Sequence, residues 1–330
     1  FIFLLAFSVI FADNFKDELE TLVESNGKAY VQPLLTGFGT AVNSGLYKKA
    51  NVKAGKLIPF GLDVGIITSS AIVPDADKSF TYSMDIPFNF GDQKINLSLA
   101  DLYTADSKTT PTIAGDKKGT ELTLKNKNEI AEIINSQLSQ GEISTDELDF
   151  PTSFKFPGGL NVAAVPIFAL QANFRFPFIG LEITGRGFPE YQMPKVGKLS
   201  FYGGGLRKSL GIPVLDLTVG AFYQKMGVGD YFKIENLNIH AEVGKDIGIP
   251  FLFSFSPYAG IGIDQTKGSI EYSLDTEQIP GDIGEPKISY DFEGENQLRT
   301  TLGVTAQLVP LTYLNVEVAK SNYISGTVSL

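Results

Sequence analysis

Residues 251–264 read Phe251-Leu-Phe-Ser-Phe-Ser-Pro-Tyr-Ala-Gly-Ile-Gly-Ile-Asp264. Counting by twos, one face carries Phe251, Phe253, Phe255, Pro257, Ala259, Ile261 and Ile263, and the other carries Leu252, Ser254, Ser256, Tyr258, Gly260, Gly262 and Asp264. A period of two with unlike faces is the mark of a strand. Strands of soluble sandwiches usually run about 5 to 6 residues, and this one is more than twice as long. A strand of ~9 to 11 residues, apolar on one side and small or polar on the other, fits one stave of a barrel with lipid outside and water inside. The stretch therefore predicts an all-β chain built as a single antiparallel transmembrane β-barrel.

Composition narrows the function. The 330 residues include no Cys, no Trp and one His, with 34 Gly, 25 Phe, 13 Tyr and a formal charge of -10. Without cysteine there is no disulfide scaffold, thiolate metal site or cysteine nucleophile. A lone histidine, His240, rules out a multi-histidine metal centre and leaves at most one histidine acid or base. No concentrated basic face offers itself to phosphate, so no nucleic-acid partner is expected.

Residues 1–12 are apolar and stop at Asp13-Asn14. They are too short to span a bilayer as a helix and match the core of a secretory signal peptide, here taken as partial, with cleavage after Ala12. Residues 13–51 read as a plug or cap ahead of the barrel. A short amphipathic helix over 13–25 carries Phe15, Leu19, Leu22 and Val23 on one side and stops at Gly27; the small-residue run after Pro33 suits close packing and makes a poor free helix. Residues 52–330 are the barrel. Alternation marks twelve strands, at 58–66, 80–88, 94–100, 160–175, 179–187, 196–205, 214–224, 231–243, 250–274, 287–308, 311–320 and 323–330, or fourteen if the two longest are split. Residues 101–159 form a long external loop with one helix, 127–139, capped by Asn126 and Glu129 and apolar at Ile130, Ile133, Ile134 and Leu138.

Several runs resemble an uncharacterised bacterial outer-membrane barrel family. They are Gln32-Pro-Leu-Leu-Thr-Gly-Phe-Gly-Thr-Ala-Val-Asn-Ser-Gly-Leu-Tyr47, Phe156-Pro-Gly-Gly-Leu-Asn-Val-Ala-Ala-Val-Pro166, Ala169-Leu-Gln-Ala-Asn-Phe174, Glu182-Ile-Thr-Gly-Arg186, Tyr202-Gly-Gly-Gly-Leu206 and Ser289-Tyr-Asp-Phe-Glu-Gly-Glu-Asn-Gln-Leu-Arg299-Thr-Thr-Leu-Gly303. The resemblance implies a location and a barrel, and little chemistry. Arg207-Lys208 departs from the Lys-His expected there. The small-residue segment before the first strand is distantly similar to the plug of long-chain fatty-acid channels.

The polar phase of the strands places Asp63, Glu182, Arg186, Lys198, Asp216, His240, Glu242, Arg299 and Glu317 toward the lumen. Charges of both signs inside a barrel pair with one another or hold a plug, whereas an ion-selective pore tends toward one sign. If the N-terminal segment enters, its acidic residues Asp17, Glu18, Glu20 and Glu24 would meet Arg186 or Arg299. Gly203-Gly204-Gly205 lacks the Lys and Ser/Thr of a phosphate loop, and Asp275, Glu277, Asp282 and Glu285 lack the spacing of a calcium loop. No cofactor, metal or catalytic residue is expected. The reading favours a passive outer-membrane channel for small or hydrophobic solutes, surrounded by outer-membrane lipid and lipopolysaccharide. Alternatives are a structural or adhesive barrel that binds a partner through its loops, or a lipid-active enzyme using His240.

Overall fold

Ten strands of alternating polarity find partners on both sides and close into a ring. The computed structural model describes residues 24–52, 60–83, 88–89, 96–97, 99–137, 152–193, 197–211, 214–229, 232–249, 253–273, 287–293 and 297–330. The ring strands are β1 (Gly61–Ile72), β2 (Ala164–Phe176), β3 (Leu181–Met193), β4 (Gly197–Ser209), β5 (Asp216–Val228), β6 (Phe232–Gly244), β7 (Phe253–Ser273), β8 (Gln297–Val309), β9 (Thr312–Lys320) and β10 (Ile324–Ser329). Each pairs antiparallel with the next in the chain, and β1 returns to β10 through the register Ile67↔Ser329 to Ile72↔Ile324. Each ring strand thus has a ladder on both sides over part of its length, as a closed barrel requires.

The count is ten, not twelve or fourteen. The described residues of 80–88 and 94–100 do not join the ring: β1 pairs directly with β2, and the strands described there are Ser79–Thr81, paired with Thr109–Pro111, and the short pair Phe88–Asn89 with Asn96–Leu97. Alternation alone cannot tell a two-faced strand of the ring from one that pairs locally. The longest strand, β7, runs unbroken for 21 residues. Its start pairs with β8, and its far half pairs with the separate strand Lys287–Glu293, so 287–308 is two segments stacked along one neighbour.

The chain divides into two compact units, the barrel unit with 34–74 and 163–330, and a second unit with 15–33 and 75–162. The inserted region is thus wider than the 101–159 loop. In the second unit, strands Tyr103–Ala105, Glu121–Leu124 and Ser153–Lys155 form a small sheet. Helix Lys127–Gln137 starts where the Asn128 N–H donates to the Asn126 side chain at 2.9 Å, an N-cap that satisfies one free donor of the first turn. Ile130 and Ile134 on one face of it are buried, as are Leu122, Ile113 and Phe156 of the same unit. Residues 24–33 are knitted into this unit: Asn26 exchanges two hydrogen bonds with Ser83, the Tyr30 hydroxyl donates to the Gly158 carbonyl at 2.8 Å, and the Ile113 N–H donates to the Tyr30 carbonyl.

Helix α1 runs Glu24–Val42, with Pro33 inside it. It continues through Gly27 and the small-residue run, where the sequence predicts a stop and a non-helical stretch; residues 13–23 lie outside the described residues, as do the signal segment and the acidic loop at 275–285. Interior Gly costs about 1 kcal/mol and Pro about 3 kcal/mol relative to Ala. Burial of Leu34, Leu35, Phe38, Ala41 and Val42, all essentially without exposure, offsets this, since a fully buried large apolar side chain contributes about 1.5 to 3 kcal/mol.

Candidate functional site

Inward positions of the barrel wall change character along its axis. At the end where β1 finishes and β2 begins, they are apolar: Val165 and Ile167 on β2, Leu199 and Phe201 on β4, Val228 on β5, Phe232 and Ile234 on β6, and Ile270 on β7. This cuff receives residues 34–42 of α1. Leu35 lies against Gly268, Gly37 against Val165, and the rings of Phe38 and Phe232 are 6.4 Å apart. A Cβ on Gly37 would stand 2.5 Å from Cγ2 of Val165, so glycine is needed on that face for close approach.

Midway down, the helix ends inside the barrel. Its last turn contains no basic residue, and two wall arginines supply the cations that its free carbonyls and negative dipole end call for. Nη1 of Arg299 donates to the Thr40 carbonyl at 3.3 Å, and Nη1 of Arg186 donates to the Ser44 carbonyl at 3.0 Å. Among the described residues both arginines thus meet backbone carbonyls at the helix C-terminus, Arg299 with Asp264 as well; the acidic residues Asp17, Glu18 and Glu20 expected to meet them lie outside the described residues. Gly45 then turns the chain at φ +63°, with its N–H donating to Glu317 at 2.9 Å.

Below the turn, residues 46–52 run without strand partners, and buried backbone groups must be paired. The wall pairs four of the five carbonyls from 46 to 50. Leu46 accepts from Gln171, Lys48 from Thr305 and Asn315, Lys49 from Arg207 at 2.6 Å, and Ala50 from Thr218 at 2.6 Å, while the Tyr47 carbonyl lies 3.4 Å from the Tyr258 hydroxyl, whose proton goes to Glu317 at 3.0 Å. Small wall residues make the room: Gly260 faces the Tyr47 ring, Gly65 the Lys48 ammonium and Gly244 the Ala50 methyl.

The charged wall residues form one connected lattice. Arg175 pairs with Asp63 and with Glu182 at 2.6 Å; Arg207 pairs with Glu182 and, through Nε at 2.7 Å, with Glu242. Glu242 lies 3.3 Å from Nε2 of His240, whose Nδ1 lies 2.6 Å from the Asn238 side-chain oxygen. Asn238 donates to Asp264 at 2.7 Å, Asp264 accepts from Arg299 at 2.9 Å, and Arg299 donates to the hydroxyl of Ser44. Because the Asn238 amide nitrogen is committed to a carboxylate, both nitrogens of the His240 ring face oxygen atoms. That ring lies 4.7 Å from the ring of Tyr47 on the lumen segment. Glu317 accepts from Gly45 N–H and the Tyr258 hydroxyl.

Of the sequence-derived lumen residues, Glu182, Arg186, His240, Glu242, Arg299 and Glu317 are buried inside, while Asp63 and Asp216 are half-buried on the inner face. Lys198 is a correction. Its side chain is 65% exposed and pairs with Glu190 at 2.9 Å on the outside, because at this end the inner face is apolar and Leu199 and Phe201 take it. Arg175, Arg207, Asn238, Asp264, Tyr258 and Asn315 belong to the site and were not among the lumen residues singled out from the sequence. Arg175 shares a phase with Gln171 and Asn173, and Asp264 sits on the polar face of the 251–264 stretch, so periodicity could have found both. Among the described residues no cluster of His, Asp or Glu could hold a metal ion.

The beta domain of the Bordetella autotransporter BrkA, known from a crystal structure, is similar over 49% of this chain and 82% of that chain, at 15% identity and a TM-score of 0.18, too slight a likeness to bear on the fold. No curated protein matches. The match that does identify the chain covers residues 1–330, and by it the protein belongs to DUF6588, a family of unknown function.

Proposed function

We propose that the protein is an outer-membrane β-barrel held closed by its own chain, and that it acts as a gated passage for small or hydrophobic solutes. The location is supported by the outer face. Leu62, Val64, Ile66, Leu170, Phe174, Ile183, Leu206, Ile239, Phe253, Phe255, Ile261, Ile263, Leu298, Leu302, Val316, Val318 and Val328 all point outward and are exposed. The ten steps from Phe253 to Ile263, at ~3.3 Å each and tilted by ~40°, rise about 25 Å, the height of the apolar band of an outer-membrane barrel. Tyr191, Tyr202 and Tyr223 stand toward one end of this band, interleaved with the ion pairs Lys225–Glu235 and Lys198–Glu190: Lys225 is the register partner of Tyr202, and the Tyr223 hydroxyl donates to Glu235 at 2.6 Å. Aromatic and charged side chains mixed at the end of an apolar band suit the interface of a bilayer. Among the described residues no helix is long and apolar enough to cross a membrane, so the reading rests on the strands.

The closed state is supported by one observation above the others, the wall-to-backbone hydrogen bonds along residues 46–50. An eight-stranded barrel is just filled by its own side chains, and ten strands leave space for one further segment. Residues 34–52 take that space, so solute can pass only when they move.

The test is conductance in planar bilayers of the wild type and of a variant lacking residues 24–50, each first shown to be folded by heat-modifiable migration. Larger or more frequent steps in the deletion support the gate. Equal conductance in a folded deletion would favour the structural or adhesive barrel instead.

A further inference from the structure

The charges of the barrel wall do not balance without the segment that fills it. Among the described residues the inner face carries four guanidinium groups, on Arg175, Arg186, Arg207 and Arg299. Against them stand six carboxylates, on Asp63, Glu182, Asp216, Glu242, Asp264 and Glu317. With His240 counted as neutral, the wall holds an excess of two negative charges. Residues 34–52 contain two charged side chains, and both are lysines, Lys48 and Lys49. The lumen segment thus brings the positive charge that the wall lacks.

Placement agrees with the count. The Lys48 ammonium lies over Gly65 of β1, where Asp63 and Glu182 attract it. Lys49 is 4.0 Å from Asp246 in the β6–β7 connection, and Asp63 and Glu182 act on it as well. The arginines belong to the wall and stay with it: Arg175, Arg207 and Arg299 pair with wall carboxylates, and Glu317 acts on Arg186 as a counter-charge. Withdrawal of residues 34–52 therefore removes two cations and no anion. A lumen that one segment fills is nowhere farther from its wall than the Debye length of ~10 Å at about 0.1 M salt, so the excess acts across the whole opening.

We propose that, once residues 34–52 leave the lumen, the passage admits cations in preference to anions, and that its solutes are small organic cations whose ammonium group takes the place of Lys48 and Lys49. The apolar cuff at the other end suits the alkyl part of such a solute. This inference rests on the gate proposed above and names what the gate serves. The experiment is the reversal potential of open steps of the full chain in planar bilayers, across a gradient of potassium chloride at about 0.1 M. Potassium should pass about tenfold more readily than chloride, the lower end of the enrichment that focused charge gives, and the preference should shrink near 1 M salt, where the Debye length falls to ~3 Å. Ethylammonium in place of potassium should keep the sign of the potential. The double variant Asp63→Asn, Asp216→Asn should bring the ratio toward one. The double variant Lys48→Gln, Lys49→Gln should leave the open-state ratio unchanged, because both lysines are then outside the lumen, and Glu235→Gln, at an exposed outer pair, should match the wild type. Open steps with no cation preference, a changed ratio in the lysine variant, or a sign lost with ethylammonium would overturn the proposal and leave the gate standing. A full chain that never conducts would sink the gate and this inference with it.

Discussion

Replacement of Arg207 by methionine tests how the lumen segment is held. Arg207 is 2% exposed and joins three things at once: the buried carboxylates of Glu182 and Glu242 and the Lys49 carbonyl. Its guanidinium carbon also lies 5.4 Å from the Tyr47 ring centroid. After the substitution Glu182 keeps only Arg175, Glu242 keeps only His240, and the Lys49 carbonyl has no donor. Breaking a buried pair from one side costs about 3 to 5 kcal/mol, mostly for the charge left behind. The expected result is a lower urea midpoint by circular dichroism and more frequent conductance steps, because the local hold on residues 46–50 weakens before the wall does. Lys225→Met, at an exposed pair with Glu235, serves as the comparison and should leave both readouts unchanged. The combined variant Glu182→Gln, Arg207→Met, Glu242→Gln should recover much of the loss, since it leaves no uncompensated charge. Equal midpoints for Arg207→Met and Lys225→Met would refute the argument that the lattice anchors the segment.

Other positions make separate predictions. Leu302 is 68% exposed on the outer face of β8; Leu302→Arg should cost about 2 to 4 kcal/mol in the bilayer and reduce the heat-modifiable fraction. Gly45→Ala meets a left-handed backbone that costs roughly 1 to 2 kcal/mol for other residues, and its methyl would come within 2.8 Å of Thr327, so its urea midpoint should fall; an unchanged midpoint would count against the turn at Gly45. Because the chain has no cysteine, single cysteines report sidedness cleanly. Lys233→Cys, at the end of the barrel carrying the long β1–β2 and β7–β8 connections, should react with an impermeant maleimide on intact cells. Lys245→Cys, in the β6–β7 connection at the opposite end, should react only after the outer membrane is permeabilised. The reverse pattern would invert the barrel.

The parts of the fold legible in sequence are those where one face meets a uniform surroundings. Phe253, Phe255, Ile261 and Ile263 alternate with Ser254, Ser256, Gly262 and Asp264 because one side lies outward and the other faces a polar lattice. The rule failed where the inner surroundings changed: at Lys198 the lumen is lined by Leu199 and Phe201 for contact with α1, and polarity points the wrong way. It failed again around residues 80–81 and 88–89, which pair locally outside the ring. Helix α1 was hidden by Gly27, Pro33, Gly37 and Gly39, whose propensities describe a free helix and not one enclosed by a wall. Arg207 appeared as a departure from an expected pair, although its phase was inward; only the structure brings it between Glu182 and Glu242.

The most direct measurement concerns residues 44 and 325. The hydroxyl oxygens of Ser44 on the lumen segment and Ser325 on β10 are 2.8 Å apart, near enough for a disulfide if both become cysteine and their backbones meet the bond's geometric limits. In the double variant Ser44→Cys, Ser325→Cys, folded in detergent and mildly oxidised, the account predicts near-complete disulfide formation, read as a mobility shift of the denatured chain that dithiothreitol reverses, with conductance steps suppressed until reduction. Free thiols in a folded, oxidised sample, or unsuppressed steps with the disulfide in place, would contradict a barrel closed by its own chain.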